Sequence, residues 1–366
     1  MKNIVSDDVN IEINNNIFKC LYPDSNDMLS EMSNSDIIYI RYLLKQYYLE
    51  LRDKLNISKD ITFGLEIEFE KAYRDIIDDK IDSLFSLKGW KVEDDGSLSN
   101  GGEAISPKLI DSEDTWIDLN HVCDIIDRNS LAMDNTGGHI HIGMHIIGNN
   151  PQYWANFVKL WMTYENVIFR FLYGEYISPR RGILEQARPI SSDLIKDLGR
   201  INDRAKKINA YQMFKVLDAG ENFKERRKRA VNFTNVSELE SYQYNMIIDD
   251  NNIKNTIEFR SPNGTLNPII WQNNVNLLVH LFMHAKSNKF NEDIINRRML
   301  QIIESSIPSN LRKYSYIYIN QAIELADLIF DNNLDKVYFL RQYFKSEIVS
   351  SESLIRDEGF TRKRCK

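Results

Sequence analysis

Three stretches far apart in the chain share one period. FGLEIEFE (63–70), GGHIHIG (137–143) and NTIEFRSP (255–262) each alternate apolar and polar residues, and a period of two is the mark of a β-strand, whose successive side chains point to opposite faces. In the first, Leu65, Ile67 and Phe69 share one face and Glu66, Glu68 and Glu70 the other. In the second, Ile140 and Ile142 oppose His139 and His141. In the third, Ile257 and Phe259 oppose Glu258 and Arg260. A chain that builds these strands into a sheet must cover the apolar face with other elements and gather its ionisable groups on the opposite face.

Three like charges on one strand face repel, and partial desolvation costs several kcal/mol unless cations compensate. A divalent metal is such a cation, although the stretch taken alone reads equally as a solvated acidic face. Two imidazoles on one face invite a metal or phosphate oxygens, and a histidine pair at this spacing also opens many zinc hydrolases. Gly137, Gly138 and Gly143 permit close approach to the backbone. Glu258 beside Arg260 suits a metal ligand next to a phosphate clamp, because a guanidinium matches phosphate oxygens bidentately; alone, the pair is also an ion pair on a sheet. Glu103 in NGGEAISP adds an acidic group, with Asp95 and Ser97 in the preceding turn. A set made mostly of carboxylates with one or two imidazoles favours magnesium or manganese over zinc. A phosphate-bearing substrate, usually ATP, is then expected, and no P-loop or GxGxxG motif suggests another nucleotide fold. His145, and His280 with His284 four residues apart on a helix, read as structural.

The remaining composition narrows the partners. Of 366 residues 43% are hydrophobic, enough for a substantial core, and a net charge of −7 with mixed signs argues against nucleic acid or an anionic membrane as the main partner. The polar beginning of the chain carries no basic region followed by an apolar run, and no stretch approaches eighteen apolar residues, so a cytoplasmic protein is expected. Cys20, Cys123 and Cys365 suggest neither a disulfide framework nor a zinc site, and Cys123 reads as a buried helix residue. The basic run KERRKR (224–229) reads as a solvated helix end.

Along the chain, residues 1 to about 35 suggest a hairpin or irregular arm, and apolar spacings of three and four predict a helix from Ser35 to near Asn56. Turn formers at Asp95-Gly96 and Asn100-Gly101-Gly102 predict a hairpin, and helices are expected over 114–129, after Pro151, through much of 175–230 and from Pro268 onward; RAVNFTNV returns to strand. The expected divisions are an arm and helix over 1–60, a catalytic core over 61–290 and a helical extension over 291–366, joined in one composite unit.

In order along residues 61 to about 285, FGLEIEFE, DDGSLSNGGEAISP, GGHIHIG, RRGILEQARPI, RAVNFTNV and TIEFRSPNGTLNP resemble the amidoligases, a branch of the carboxylate-amine ligase superfamily that includes glutamine synthetase and glutamate-cysteine ligase. The resemblance implies an α+β fold: a curved antiparallel half-barrel sheet of the glutamine synthetase catalytic type, backed by helices, with ATP at one end and the acceptor carboxylate at the other. It implies metal ligation by Glu66, Glu68, Glu103, His139 and Glu258, with His141 facing nucleotide phosphate or substrate. Arg260 corresponds to a clamp on the γ-phosphate, and Arg181, or in its place Arg180 or Arg188, to a further phosphate or carboxylate contact; Asn232 matches a family asparagine and Ser97 joins the nucleotide side. Asp95 fills the role of a missing acidic ligand, or a third metal is absent. The implied reaction is ATP- and Mg2+- (or Mn2+-) dependent amide formation through an acyl phosphate, from small-molecule or peptide carboxylates and amines. A kinase of the same fold, a zinc hydrolase and a non-catalytic binding protein are the alternatives, and a homo-oligomer is left open.

Overall fold

The alternating stretches fold as strands in the computed structural model, which describes residues 49–132, 135–176, 179–194, 223–237, 255–304 and 318–344 together with positions 35, 38, 42 and 44. Seven strands form one antiparallel sheet: β1 (Phe63–Ala72), β2 (Lys91–Glu93), β3 (Gly102–Ile105), β4 (Ser130–Ala132), β5 (Gly138–Gly143), β6 (Val231–Asn232) and β7 (Thr256–Phe259). Six of them run in the order β2-β3-β1-β5-β7-β6, and β4 pairs with the far end of β1. The sheet is open, and its register sets the chemistry, because residues directly opposite in an antiparallel pair share a face. Glu66 faces His139, Glu68 faces Glu103, and Glu258 lies between His141 and Asn232.

Helices cover the apolar face: α1 (Arg74–Asp82), α2 (Glu113–Asn129), α3 (Pro151–Leu172), α4 (Pro268–Ala285), α5 (Glu292–Glu304), α6 (Ile319–Ile329) and α7 (Asn333–Phe344). Three of them start where the sequence supplies a cap. Ser112, Asn150 and Asn267 each accept a bond from a backbone N–H in the first turn, and Pro follows Asn150 and Asn267 at the first helical position, where its missing N–H costs nothing. Both α3 and α4 are buried along most of their length, and buried polar side chains on them are bonded, as Asn156 is to the Ala285 carbonyl and Asn276 to Asp335. Phe259 of β7 meets Trp161 of α3 at 5.4 Å between ring centroids, and Phe157 of α3 stacks on Phe282 of α4 at 4.2 Å. The helices α5, α6 and α7 pack on the other side of α3, so a single apolar core runs from the sheet to the last described helix.

One expectation changes in part: positions 35, 38, 42 and 44 of the expected helix from Ser35 are helical. Residues 49–57 are not helical: the Arg52 N–H donates to Gln272 Oε1 (2.9 Å), Gln272 Nε2 donates to the Arg52 carbonyl (2.7 Å), and the Arg52 guanidinium pairs with Asp335 (2.6 Å). The Leu55 N–H donates to Asp111 and the Glu50 N–H to the Tyr338 hydroxyl, so distant side chains rather than a helix of its own satisfy the segment's amides, a case of tertiary contacts overriding local propensity. Of the helices expected through much of 175–230, residues 195–222 lie outside the described residues, and the described ones hold the helical segments Ile183–Gln186, Ser191–Leu194 and Phe223–Arg226. The amino-terminal arm and the tail that contains Cys365 lie outside the described residues.

Candidate functional site

The ionisable faces of β1, β3, β5 and β7 meet at the middle of the sheet, and they are buried there rather than solvated. Glu66, Glu68, Glu70, His139, His141 and Glu258 all lose nearly all contact with solvent. Glu66 stands at the centre: its Oε2 lies 2.6 Å from His139 Nδ1 and its Oε1 lies 2.9 Å from His141 Nε2. His141 Nδ1 is 3.3 Å from the Thr256 hydroxyl. Glu258 Oε2 accepts from Asn232 Nδ2 (2.7 Å), and Asn232 is fixed in turn because its Oδ1 accepts from the Thr234 N–H and hydroxyl. The other oxygen, Glu258 Oε1, takes the Arg260 guanidinium, whose Nε donates to the Gln186 carbonyl at 3.2 Å. Glu70 stands apart, accepting from Asn135 Nδ2 at 3.1 Å.

Burial raises a carboxyl pKa and neighbouring cations or donors lower it. Glu66 is buried, yet its bonds to His139 and His141 outweigh desolvation and hold its carboxyl far below the usual range. Glu258 is likewise held low against its burial, by His139 and then Arg260. Glu103 goes the other way and is pushed up to about 7, by partial burial first and then by the charges of Glu66, Asp95, Glu68 and Glu93. Surplus negative charge therefore collects at the Glu66–Glu103 side.

The donor set fits a divalent ion. Ligand atoms of Glu66, His141 and Glu258 lie within 4.8 Å of one another, as do those of Glu66, Glu103 and His139. His139 Nε2 is buried and makes no hydrogen bond among the described residues, with Glu68 Oε1 standing 3.5 Å away. A buried nitrogen without a partner next to carboxylates is what a metal ligand looks like before the ion is added. Oxygen donors outnumber nitrogen, which suits magnesium or manganese.

Other sequence-selected residues fall differently. Glu68 belongs to neither close group: its Oε2 accepts the Gly137 N–H at 2.5 Å and faces Arg180 Nη1 at 3.5 Å. Arg181 is exposed, while its neighbour Arg180 is buried against the cluster. Arg188 is half-buried and pairs with Glu225, away from the carboxylates. Ser97 is exposed in its turn, its N–H bonded to Asp95, and the half-buried Asp95 is close enough to act on Glu103. His280 bonds the Asn276 carbonyl and His284 packs by Phe290, as structural histidines do; Cys123 is buried in α2. Gln186, Thr256 and Thr234 were not singled out from the sequence: Gln186 acts through its backbone carbonyl, which carries no side-chain signal, Thr234 opens a one-turn helix, and Thr256 shares the alternating face of Glu258 at the start of β7.

Glu66 and His141 also line a cavity of about 440 Å³, with Gly64, Ile105, Lys108 and His145 among its other lining residues; neither Arg180 nor Arg260 lines it. Among the described residues, no helix is long and apolar enough to cross a membrane.

The family described as "putative amidoligase enzyme" matches residues 59–282, more than half of the chain and all seven strands. No curated protein and no solved structure matches it.

Proposed function

The chain belongs to the amidoligase family, and from that premise we propose that it is an ATP-dependent carboxylate-amine ligase that forms an amide through an acyl phosphate, on a sheet of the glutamine synthetase catalytic type. Membership itself supports a ligase-type enzyme. The observation that carries the finer reading is the group of buried Glu66, His139, His141 and Glu258 with half-buried Glu103, beside Arg260.

Those five side chains are the proposed holders of magnesium or manganese, which when bound supplies positive charge to phosphate oxygens as they transfer. Arg260 lies at the edge of the cluster with part of its guanidinium still accessible. It contributes donors to the γ-phosphoryl group, and Glu258 together with the Gln186 carbonyl fixes its direction before substrate arrives. The substrate carboxylate attacks the γ-phosphorus as the bond to the ADP oxygen breaks. An amine then attacks the acyl carbon, phosphate departs with the carbon–oxygen bonding pair, and a proton leaves the nitrogen. The cavity lined by Gly64 receives the organic substrate, because Glu66 and His141 of the cluster form part of its wall.

The test is ATP consumption with magnesium over pools of carboxylates and amines, reading ADP and product mass together. ADP with a product lighter than its two precursors by one water is the expected outcome. A product heavier by a phosphoryl group identifies a kinase and sinks the ligase reading, and zinc as the tightly held metal with ATP-independent cleavage identifies a hydrolase.

A further inference from the structure

Arg180 is not part of the carboxylate–imidazole group, yet the fold goes to unusual lengths to place it. Its guanidinium is buried at the start of β5, beside the middle of β1, where Nη1 faces Glu68 Oε2 at 3.5 Å and Nη2 donates to the backbone carbonyl of Arg260 at 3.1 Å. Its own N–H donates to Asn263 Oδ1 at 2.9 Å. Nε is buried and makes no hydrogen bond among the described residues. The space it fills exists because residue 137 has no side chain: a Cβ on Gly137 would stand 1.7 Å from Arg180 Nη1. The same glycine's N–H bonds the Glu68 oxygen that Arg180 faces.

We infer that Arg180 is a positioning residue for the proposed metal and phosphate centre, acting through Glu68 on one side and the Arg260 backbone on the other. The inference rests on the ligase reading and extends it to a residue outside the ligand set. The argument is geometric. Glu68 lies in β1 and Arg260 directly follows β7, two strands that do not pair with each other but are both neighbours of β5, so nothing in the sheet ladder couples the two residues directly. A guanidinium has a rigid planar fork that can engage two acceptors at once; a lysine ammonium at the end of a flexible stem cannot hold both in one geometry. With Oε2 of Glu68 occupied by the Gly137 N–H and Arg180, Oε1 is the oxygen turned to His139. Removing Arg180 frees that carboxylate to rotate and loosens the carbonyl at the foot of the Arg260 side chain.

The experiment is manganese binding to the full chain, followed by electron paramagnetic resonance, for wild type, Arg180→Lys, Arg180→Ala and Gly137→Ala. The last variant displaces the guanidinium without deleting it, and so reports the same contact if Arg180→Ala folds poorly. Expected is Mn2+ affinity at least tenfold weaker in Arg180→Ala and Gly137→Ala, little recovery in Arg180→Lys, and recovery of Arg180→Ala when methylguanidine is added. A purely structural role would lower the melting temperature without this rescue of metal affinity. Unchanged affinity in Arg180→Ala overturns the inference and leaves the ligase reading standing. Tighter binding, or an additional bound ion, also overturns it, since Arg180 would then be a cation that competes with metal. A wild-type protein that binds no Mn2+ removes the metal centre and the inference together.

Discussion

At the scale of single residues, the site is a contest between desolvation and charge, and Arg260 is where its outcome is most exposed to test. The guanidinium is tied to Glu258 and to the Gln186 carbonyl, so its direction is set without substrate, and preorganised donors of this kind lower a transition state because no reorganisation is needed during reaction. Arg260→Ala is therefore expected to reduce the rate of ATP-dependent product formation by about 10²–10³-fold, with the circular dichroism spectrum unchanged. Arg260→Lys keeps the charge and loses the fork, and should recover only a small part. Full ligation by Arg260→Ala would remove the arginine from the mechanism. The neighbouring pair Arg180 and Arg181 shows what composition alone could not resolve: two adjacent arginines carry the same sequence signal, and only the Asn263 bond to the Arg180 backbone and the gap over Gly137 decide which one turns inward.

At the scale of elements, strand β5 concentrates the packing demands that sequence patterning only hints at. Gly138 lies between the sheet and α4, and a Cβ there would meet Trp271 at 2.1 Å, against a fully buried ring that has no room to move. Gly138→Ala should destabilise the protein by roughly 1–3 kcal/mol in urea unfolding, the usual penalty of overpacking. The control is Gly96→Ala in the β2–β3 turn, where a Cβ would touch nothing within 4 Å, and there a change within about 0.5 kcal/mol is expected. Equal losses at the two positions would mean that backbone freedom, rather than Trp271, is what residue 138 provides. The strands themselves were legible because alternation reports their two faces directly: β1, β5 and β7 lie where the period puts them, and Glu66, His139, His141 and Glu258 share the face it assigns. Alternation says nothing about what covers a face, so the burial of the glutamates could not be read from it. Residues 49–57 failed for a related reason. Their spacing is helical, but the partners that satisfy their backbone are the side chain of Gln272 and the carboxylate of Asp111, far away in sequence.

For the whole molecule, the buried acidic face makes stability depend on pH and on metal together. Glu103 keeps its proton up to about 7 in the fold, against an ordinary value of 4.5. The native state therefore binds more protons than the unfolded chain between those values, and the contribution of this group is fully present below the lower one and lost as pH rises through the upper. Glu66 acts oppositely, since its carboxyl is held far below the usual range by its histidines: its contribution is present above the ordinary carboxylate pKa and disappears only in strong acid. Glu103, partly exposed and correspondingly screened, loses its contribution as pH rises, and Glu165 and Glu324, raised by burial, act in the same sense. His284, which burial holds down at about 4 against an ordinary 6.5, opposes them by adding stability as pH rises to that ordinary value. In protein stripped with EDTA, the melting temperature should fall from the ordinary histidine value of 6.5 up to pH 8, where the opposing His284 no longer changes, and Glu103→Gln should flatten part of the decline because the amide never acquires charge. Adding Mn2+ at pH 8 replaces the missing proton by a divalent cation that binds only the folded state, a gain of about 2.7 kcal/mol at a hundred times the dissociation constant, or roughly 3–5 °C for a chain of this size. The same addition at pH 5 competes with the proton on Glu103 and should raise the melting point less. A decline that persists undiminished in Glu103→Gln would place the titrating charge elsewhere, and a manganese effect independent of pH would show that the ion is held by Glu66, His141 and Glu258 without Glu103.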